Sequence, residues 1–374
     1  MVTMKRTFHP VGHGAFYTER FYDGDDNIAN IVFDCGCYEC GKEGKYKDRI
    51  ENAIKLEFAK DTQIDILFIS HFHQDHILGV RFLNKYCSVD KIFIPILTPV
   101  IIIEAYLYNY NTVHKIDCYA NNILRAYYTE VPRNVISVSE FRDNVELPNA
   151  TKLLDDINTE QPITTPLKLR IGRVANWLYI PYNRKNPKEQ DVIEKITREK
   201  GFENIIRDSK VDIKELTSAI KKAGIGKCRK VYKSIFGEDQ NTSSMTLYSG
   251  RCCGEHYCLQ ACLHNIENNR NKLCTINCLY MGDYEAMKNF TQLQRFYGDY
   301  WSHIGILQVP HHGSEKNYND GLYDPEKICI ISAGETDRYE HPNLPTLNGI
   351  LKHNSIPIIV TENVKTKQQF TYNI

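Results

Sequence analysis

The 374-residue chain has no excess of either charge: 46 Lys and Arg face 46 Asp and Glu. A molecule balanced in this way is not, as a whole, an electrostatic glove for nucleic acid or an acidic surface, so any such preference is local. Long apolar runs are missing too. The longest, Ile92 to Ile103, is interrupted by Pro95 and Pro99 and falls short of the roughly 20 residues that a membrane span needs. The first ten residues, Met1 to Pro10, carry Lys5 and Arg6 but no apolar stretch followed by small residues, so nothing there reads as a secretory signal. A cytoplasmic protein without a membrane partner is expected. There is no internal repeat and no low-complexity segment. The 13 cysteines are odd in number, which in so long a chain argues against a disulfide framework and for reduced thiols, some of them on a metal.

What is present is enough apolar sequence, 42% of residues, to bury a full core. Asn30-Ile31-Val32-Phe33-Asp34 and Ile64-Asp65-Ile66-Leu67-Phe68-Ile69-Ser70 read as short buried strands, each ending at a polar residue. Strand patterns return at Met245–Tyr248, Cys278–Met281, Gly305–Val309, Ile328–Ser332 and Ile356–Val360, with helical stretches near 285–297 and 345–352. Pro357 suits the last of these strands to a sheet edge. Between them, residues 104–240 are expected to form a mainly helical insertion. Asn186-Pro187-Lys188-Glu189 supplies a cap, a first-turn proline and a capping-box Glu for a helix closing at Gly201. Asp212 and Glu215 repeat the device, Ile213, Leu216 and Ile220 make an apolar face, and Gly224 ends it. Strands, an insertion, then strands and helices predict an α/β sandwich, read as one domain over 1–374.

The chemistry is concentrated at His71-Phe72-His73-Gln74-Asp75-His76. Four metal-competent side chains fall within six residues, directly after an apolar strand. Imidazole and carboxylate suit zinc, manganese or iron, and alternating positions on an extended turn can aim two pairs at two neighbouring ions. A solvated histidine-rich loop is the bland reading, and it leaves several such groups repelling or unpaired.

The run His-x-His-x-Asp-His, followed by Ile77-Leu78-Gly79, resembles the signature of the metallo-β-lactamase superfamily. Val11-Gly12-His13-Gly14-Ala15 is similar to the glycine-rich first hairpin of that group. Phe33-Asp34-Cys35-Gly36 resembles its first motif, and Met281-Gly282-Asp283-Tyr284-Glu285 the motif with a bridging aspartate. Val309-Pro310-His311-His312-Gly313-Ser314 looks like the segment carrying the last histidine ligand, with His312 the better match. Together with Ile331–Gly334 and Tyr339-Glu340-His341-Pro342, it points to the ComEC-like hydrolase branch in its free-standing form, without the membrane channel.

The resemblance implies an αββα sandwich and two divalent ions, Zn2+ or Mn2+, held by His71, His73, Asp75, His76, Asp283 and His312. Asp34 then orients a ligand histidine, with Asn241 and Ser314 as further supports. Asp75, His311 and His341 are the residues assigned to the reaction: a metal-bridged hydroxide attacks, and His341 or His311 protonates the leaving oxygen. One departure is informative. Lactamases and glyoxalases carry a histidine in a Gly-His-Thr-Pro-Gly-Ser context where this chain reads Asp239-Gln240-Asn241-Thr242-Ser243-Ser244. The first ion is thereby one protein ligand short, a position open to water, Asn241, His341 or His311.

The implied function is a metal-dependent phosphodiesterase or nuclease acting on DNA, RNA or a smaller phosphodiester. The alternatives are hydrolysis of a small phosphoester or of a lactam, lactone or thioester, and a non-catalytic metal-stabilised sensing subunit of a larger system with additional subunits. Two weaker signals remain. Cys252 to Cys278, with Cys258 and Cys262 on one helix face, reads either as a structural metal site or as buried thiols. Residues 184–233 carry 15 Lys and Arg against 8 Asp and Glu, either a basic wall for a polyanion or an ordinary solvated helical face.

Overall fold

A computed structural model of the chain describes residues 1–38, 45–110, 134–141, 145–158, 162–174, 176–198, 218–220, 222, 225–236, 244–251, 275–335 and 340–374. Two mixed sheets dominate it. The first contains β1 (Val2–Phe8), β2 (Phe16–Asp23), β3 (Asp26–Cys35), β4 (Gln63–Phe68), β5 (Ser88–Pro95), β6 (Val135–Val138) and β15 (Gln368–Asn373), in the order β15-β1-β2-β3-β4-β5-β6. The second contains β7 (Thr151–Leu153), β8 (Lys168–Arg170), β9 (Trp177–Tyr182), β10 (Thr246–Arg251), β11 (Cys278–Tyr280), β12 (Ile306–Gln308), β13 (Ile328–Ser332) and β14 (Ile356–Val360), in descending order from β14 to β7. Strands β3 to β6 run parallel in one sheet, and β11 to β14 in the other. The α/β expectation holds at this level.

Period-two alternation explains why these segments sit between layers. Phe33, Ile66 and Phe68 face the second sheet, while Val32 and Leu67 face the other way, onto Ile50 and Ile54 of α1 (Lys45–Glu57), Ile77 of α2 (Gln74–Ile77) and Leu83 of α3 (Val80–Tyr86). Across the inner interface the rings of Phe33 and Tyr280 stack at 4.9 Å, and those of Phe68 and Tyr179 lie at 5.7 Å. On the far side of the second sheet, Phe296 and Tyr297 of α7 (Ala286–Tyr297) cover Tyr182 and Thr246. Helices therefore clothe both outer faces.

One polar network runs through the inner core. Glu19 accepts from Arg6 Nε and Tyr280 Oη, each at 2.8 Å, from Tyr179 Oη at 2.9 Å and from Ser249 Oγ at 2.7 Å. Both Arg6 and Glu19 are buried, so the pair ties β1 and β2 to β9, β10 and β11 with its hydrogen-bonding capacity engaged, as a buried charge requires.

The strands at 245, 278, 305, 328 and 356 fall where their patterns place them, and among the described residues β14, with Pro357, is an edge strand paired with β13. The stretch 104–240, expected to be mainly helical, holds strands as well as helices. Among the described residues this stretch supplies β6, β7, β8 and β9 to the two sheets. Strand β9 is buried at all six positions, so it shows no alternation, and β7 and β8 are three residues each, too short to declare a period. Helices here are α4 (Pro99–Tyr110), α5 (Glu189–Thr197) and α6 (Ile225–Phe236), packed around Val100, Ile103, Val192, Ile196, Ile220 and Tyr232.

Asn186 caps a turn rather than the helix itself: its Oδ1 accepts from Lys188 N at 3.0 Å, and α5 begins at Glu189. Gly201, most of 212–224, Asn241, Cys40 and Cys252 to Cys274 lie outside the described residues. Within them, Cys35, Cys37, Cys87, Cys228, Cys278 and Cys329 are buried. No described helix is long and apolar enough to cross a membrane.

Candidate metal centre

The parallel strands bring the functional residues to one edge. Asp34 lies near the end of β3, Ser70 and His71 follow β4, Asp283 follows β11, His311 and His312 follow β12, and Ser332 ends β13. Loops at the carboxyl ends of parallel strands are common ligand sites because a rigid sheet holds them. Three non-glycine residues there, Asp34, His311 and His312, adopt φ of 53°, 50° and 56°, a cost that clusters where side-chain direction matters.

Close backbone packing fixes the loops. A Cβ on Gly36 would stand 2.5 Å from Asp75 C and O, so only glycine lets the β3 turn lie under the histidine loop. Gly282, at φ 53°, is equally confined by Ser70 and Ser244. Gln308 Oε1 accepts from Met281 N and Gly282 N, each at 2.7 Å, and Ser244 Oγ accepts from Asp283 N at 3.1 Å. The Asp283 carboxylate is thus aimed by its own backbone.

Each ring is oriented from behind. His76 Nδ1 donates to Asp34 Oδ2 at 2.7 Å. Ser70 Oγ donates to the same oxygen at 2.7 Å and so accepts from His71 Nδ1 at 2.9 Å. His312 Nδ1 donates to Ser332 O at 2.8 Å. His311 Nδ1 donates to Asn317 Oδ1 at 2.8 Å, while Asn317 Nδ2 is engaged by the carbonyls of Asp283 and Tyr284. With Nδ1 held from behind in all four, Nε2 is the nitrogen left to face a metal; in His312 it donates to Asp75 Oδ2 at 3.1 Å.

Those Nε2 atoms face carboxylates. Asp283 Oδ2 lies 3.4 Å from His71 Nε2, 3.9 Å from His73 Nδ1 and 3.9 Å from His311 Nε2; Asp283 Oδ1 lies 3.1 Å from His76 Nε2. Asp75 Oδ2 lies 3.1 Å from His312 Nε2, 3.8 Å from His13 Nε2 and 3.9 Å from His76 Nε2. Two compact, fully buried donor sets result: His71, His76 and Asp283, and His13, Asp75 and His312. Buried Nε2 atoms of His71 and His76 make no hydrogen bond. An unprotonated Nε2 against a carboxylate is repulsive unless a proton or a metal cation lies between, and oxygen and imidazole donors at these separations suit a divalent ion.

Protonation equilibria report the same demand. Against burial, which lowers it, the Asp283 and Asp34 charges raise the His76 pKa well above the ordinary histidine value. Burial likewise lowers His312, but its hydrogen bond to Asp75 and the charge of Asp283 leave it raised. Burial, and then the neighbouring His71, hold His73 well below that value. Asp283 and Asp75 are kept ionised despite burial by the surrounding histidines. A cation held in each donor set would meet that demand with the imidazoles neutral.

The structure therefore brings together His71, His73, Asp75, His76, Asp283 and His312, as expected, and places Asp34 behind two of the rings. His311, half-buried, stands beside Asp283 rather than at a distance. His341 sits at the mouth, its ring centroid 5.8 Å from His13, 5.9 Å from His311 and 6.4 Å from His312. Ser314 serves through its backbone, its N–H donating to His311 O at 2.9 Å to close the turn. Asn241 lies outside the described residues. His13 went unassigned in the sequence, where a lone histidine between Gly12 and Gly14 carries no spacing signal; its flanking glycines were the only hint. Compared with known proteins, no protein-family model and no curated protein matches the chain.

Proposed function

We propose that this chain is a dinuclear-metal hydrolase of the metallo-β-lactamase fold, ComEC-like branch, cleaving phosphodiester bonds. The observation that carries the reading is the convergence of His71, His76 and His312 Nε2 atoms, each with Nδ1 held from behind, on the two buried carboxylates of Asp75 and Asp283. The order of the strands and the helices on both outer faces are compatible with that fold.

In this reading Asp283, whose Oδ2 faces His71, His73 and His311 and whose Oδ1 faces His76, would serve both ions. Asp75, His312 and His13 would hold the second, joined by His76, which lies between the two sets at 3.9 Å from Asp75 Oδ2. His311 would take the position that the absent lactamase histidine leaves open at the first. Divalent ions held there supply the charge that lowers the pKa of water to near neutrality and polarises a phosphoryl oxygen. Asp34 and Ser70 keep the rings in the ligating tautomer. His341, half-buried at the mouth, presents an imidazole that can pass a proton to the departing ester oxygen.

Phosphodiesters are favoured over lactams, lactones and thioesters by the histidine-free Asp239–Ser244 stretch and by half-buried His341 beside the cluster. The test is turnover by the manganese- or zinc-loaded protein on single- and double-stranded DNA, RNA, bis-p-nitrophenyl phosphate and nitrocefin. Phosphodiester cleavage that disappears in Asp283→Asn is the expected result. Nitrocefin turnover alone overturns the reading, and tight metal with no turnover on any substrate moves it to a metal-stabilised sensing subunit.

A further inference from the structure

Glu104 is a carboxylate in an apolar helix. It follows Val100-Ile101-Ile102-Ile103 on α4 and is itself only 4% exposed. An ionised side chain in such surroundings is costly unless strongly partnered. Its Oε2 accepts from Tyr232 Oη, on α6, at 2.7 Å. Its Oε1 is directed the other way, to 3.8 Å from Nε2 of His73. The ring of Tyr232 is packed among Val100, Ile103, Val192 and Ile220, so the hydroxyl holding Glu104 is held by the helical layer.

We propose that Glu104, anchored by Tyr232, is the positioning residue for His73, fixing the ring so that Nδ1 serves the first metal ion. This rests on the dinuclear centre proposed above and extends it outward by one shell. The two nitrogens of an imidazole point apart. Since His73 Nδ1 faces Asp283 Oδ2 at 3.9 Å, a carboxylate on the Nε2 side cannot reach the same ion; at 3.8 Å it is beyond hydrogen-bond length and faces the Nε2 edge as a charge, placed to accept Nε2–H on a small approach of the two groups. His73 is thereby set apart from His71, His76 and His312, which are held through Nδ1 and ligate through Nε2. A carboxylate behind a ligating histidine fixes its tautomer and raises its basicity. The chain of contacts makes the first ion sensitive to the packing of α4, α5 and α6, while the second ion has no such link among the described residues.

The experiment loads metal-free full-length protein with cobalt(II) and follows stoichiometry, affinity by chelator competition and the visible spectrum, for wild type, Glu104→Gln and Tyr232→Phe. Wild type is expected to take two ions. Glu104→Gln should weaken one ion about ten- to a hundredfold and alter its spectrum, leaving the other unchanged. Tyr232→Phe, which keeps the ring and removes only the hydroxyl, should shift the same ion less, with the metal-free melting temperature close to wild type. Two ions at wild-type affinity in both variants overturn the role of Glu104 while leaving the centre intact. Equal loss of both ions with a lowered metal-free melting temperature also overturns it, as a purely structural effect. A wild type that takes up no cobalt overturns the centre and this inference together.

Discussion

The Asp34 carboxylate and the His76 ring are joined by a 2.7 Å hydrogen bond from Nδ1 to Oδ2, and that same oxygen holds Ser70 Oγ, which holds His71. One buried carboxylate, positioned by a left-handed backbone at φ 53°, thus sets the tautomer of two rings. Asp34→Asn preserves size but offers an amide that can donate where only acceptance is useful. Metal affinity measured by chelator competition is expected to fall about ten- to a hundredfold. Unchanged affinity would remove Asp34 from the account.

His13 belongs with Asp75 and His312, its ring centroid 3.8 Å from that of His312. Its replacement by alanine should weaken one ion and spare the other, because His71 and Asp283 lie in the neighbouring set. Isothermal titration with zinc resolves the two events. A variant that binds both ions as tightly as wild type would make His13 a bystander.

The legibility of this site follows from where its residues lie in the chain. His71 to His76 announce themselves because four donors fall in six positions. Asp34, Asp283 and His312 came only through the motifs around them, since a single Asp or His after a strand has no pattern of its own. His13 and Glu104 were silent for the same reason, although a lone carboxylate after three isoleucines is a physical oddity that asks for a partner. In the fold, β3, β4 and β10 to β14 were readable as short apolar runs, whereas β1, β2, β5, β6 and β15 were not assigned. Strands β7 and β8, three residues each, were too short to declare a period, and β9 has none because burial on both faces erases it.

Glu19 is the test of the core. Its four buried donors include Arg6, whose guanidinium sits between the sheets. Glu19→Ala leaves that charge buried and uncompensated, which costs about 3–5 kcal/mol. Urea denaturation of the metal-free protein should show the loss, and a change below about 1 kcal/mol would contradict the stated role of the pair.

Glu140 gives a pH dependence away from the metal centre. Burial, then the charge and shared hydrogen bond of Glu189, push its carboxyl up to about 8 from an ordinary 4.5. The folded state therefore holds more protons than the unfolded state between those two values, so stability falls as pH rises through that window and is level outside it. Glu140→Gln removes the penalty: the variant should match wild type near pH 4.5 and exceed it at pH 8 by about 1–3 kcal/mol. Melting curves that stay parallel across the window would contradict this.

The most direct test of the central claim is anomalous diffraction from crystals of the chain loaded with zinc. The account predicts two peaks about 3.5–4 Å apart, on either side of the Asp283 carboxylate, one beside His71 and His311 and the other beside Asp75, His312 and His13. Absence of any peak among these residues, or a single ion bound elsewhere, would contradict it.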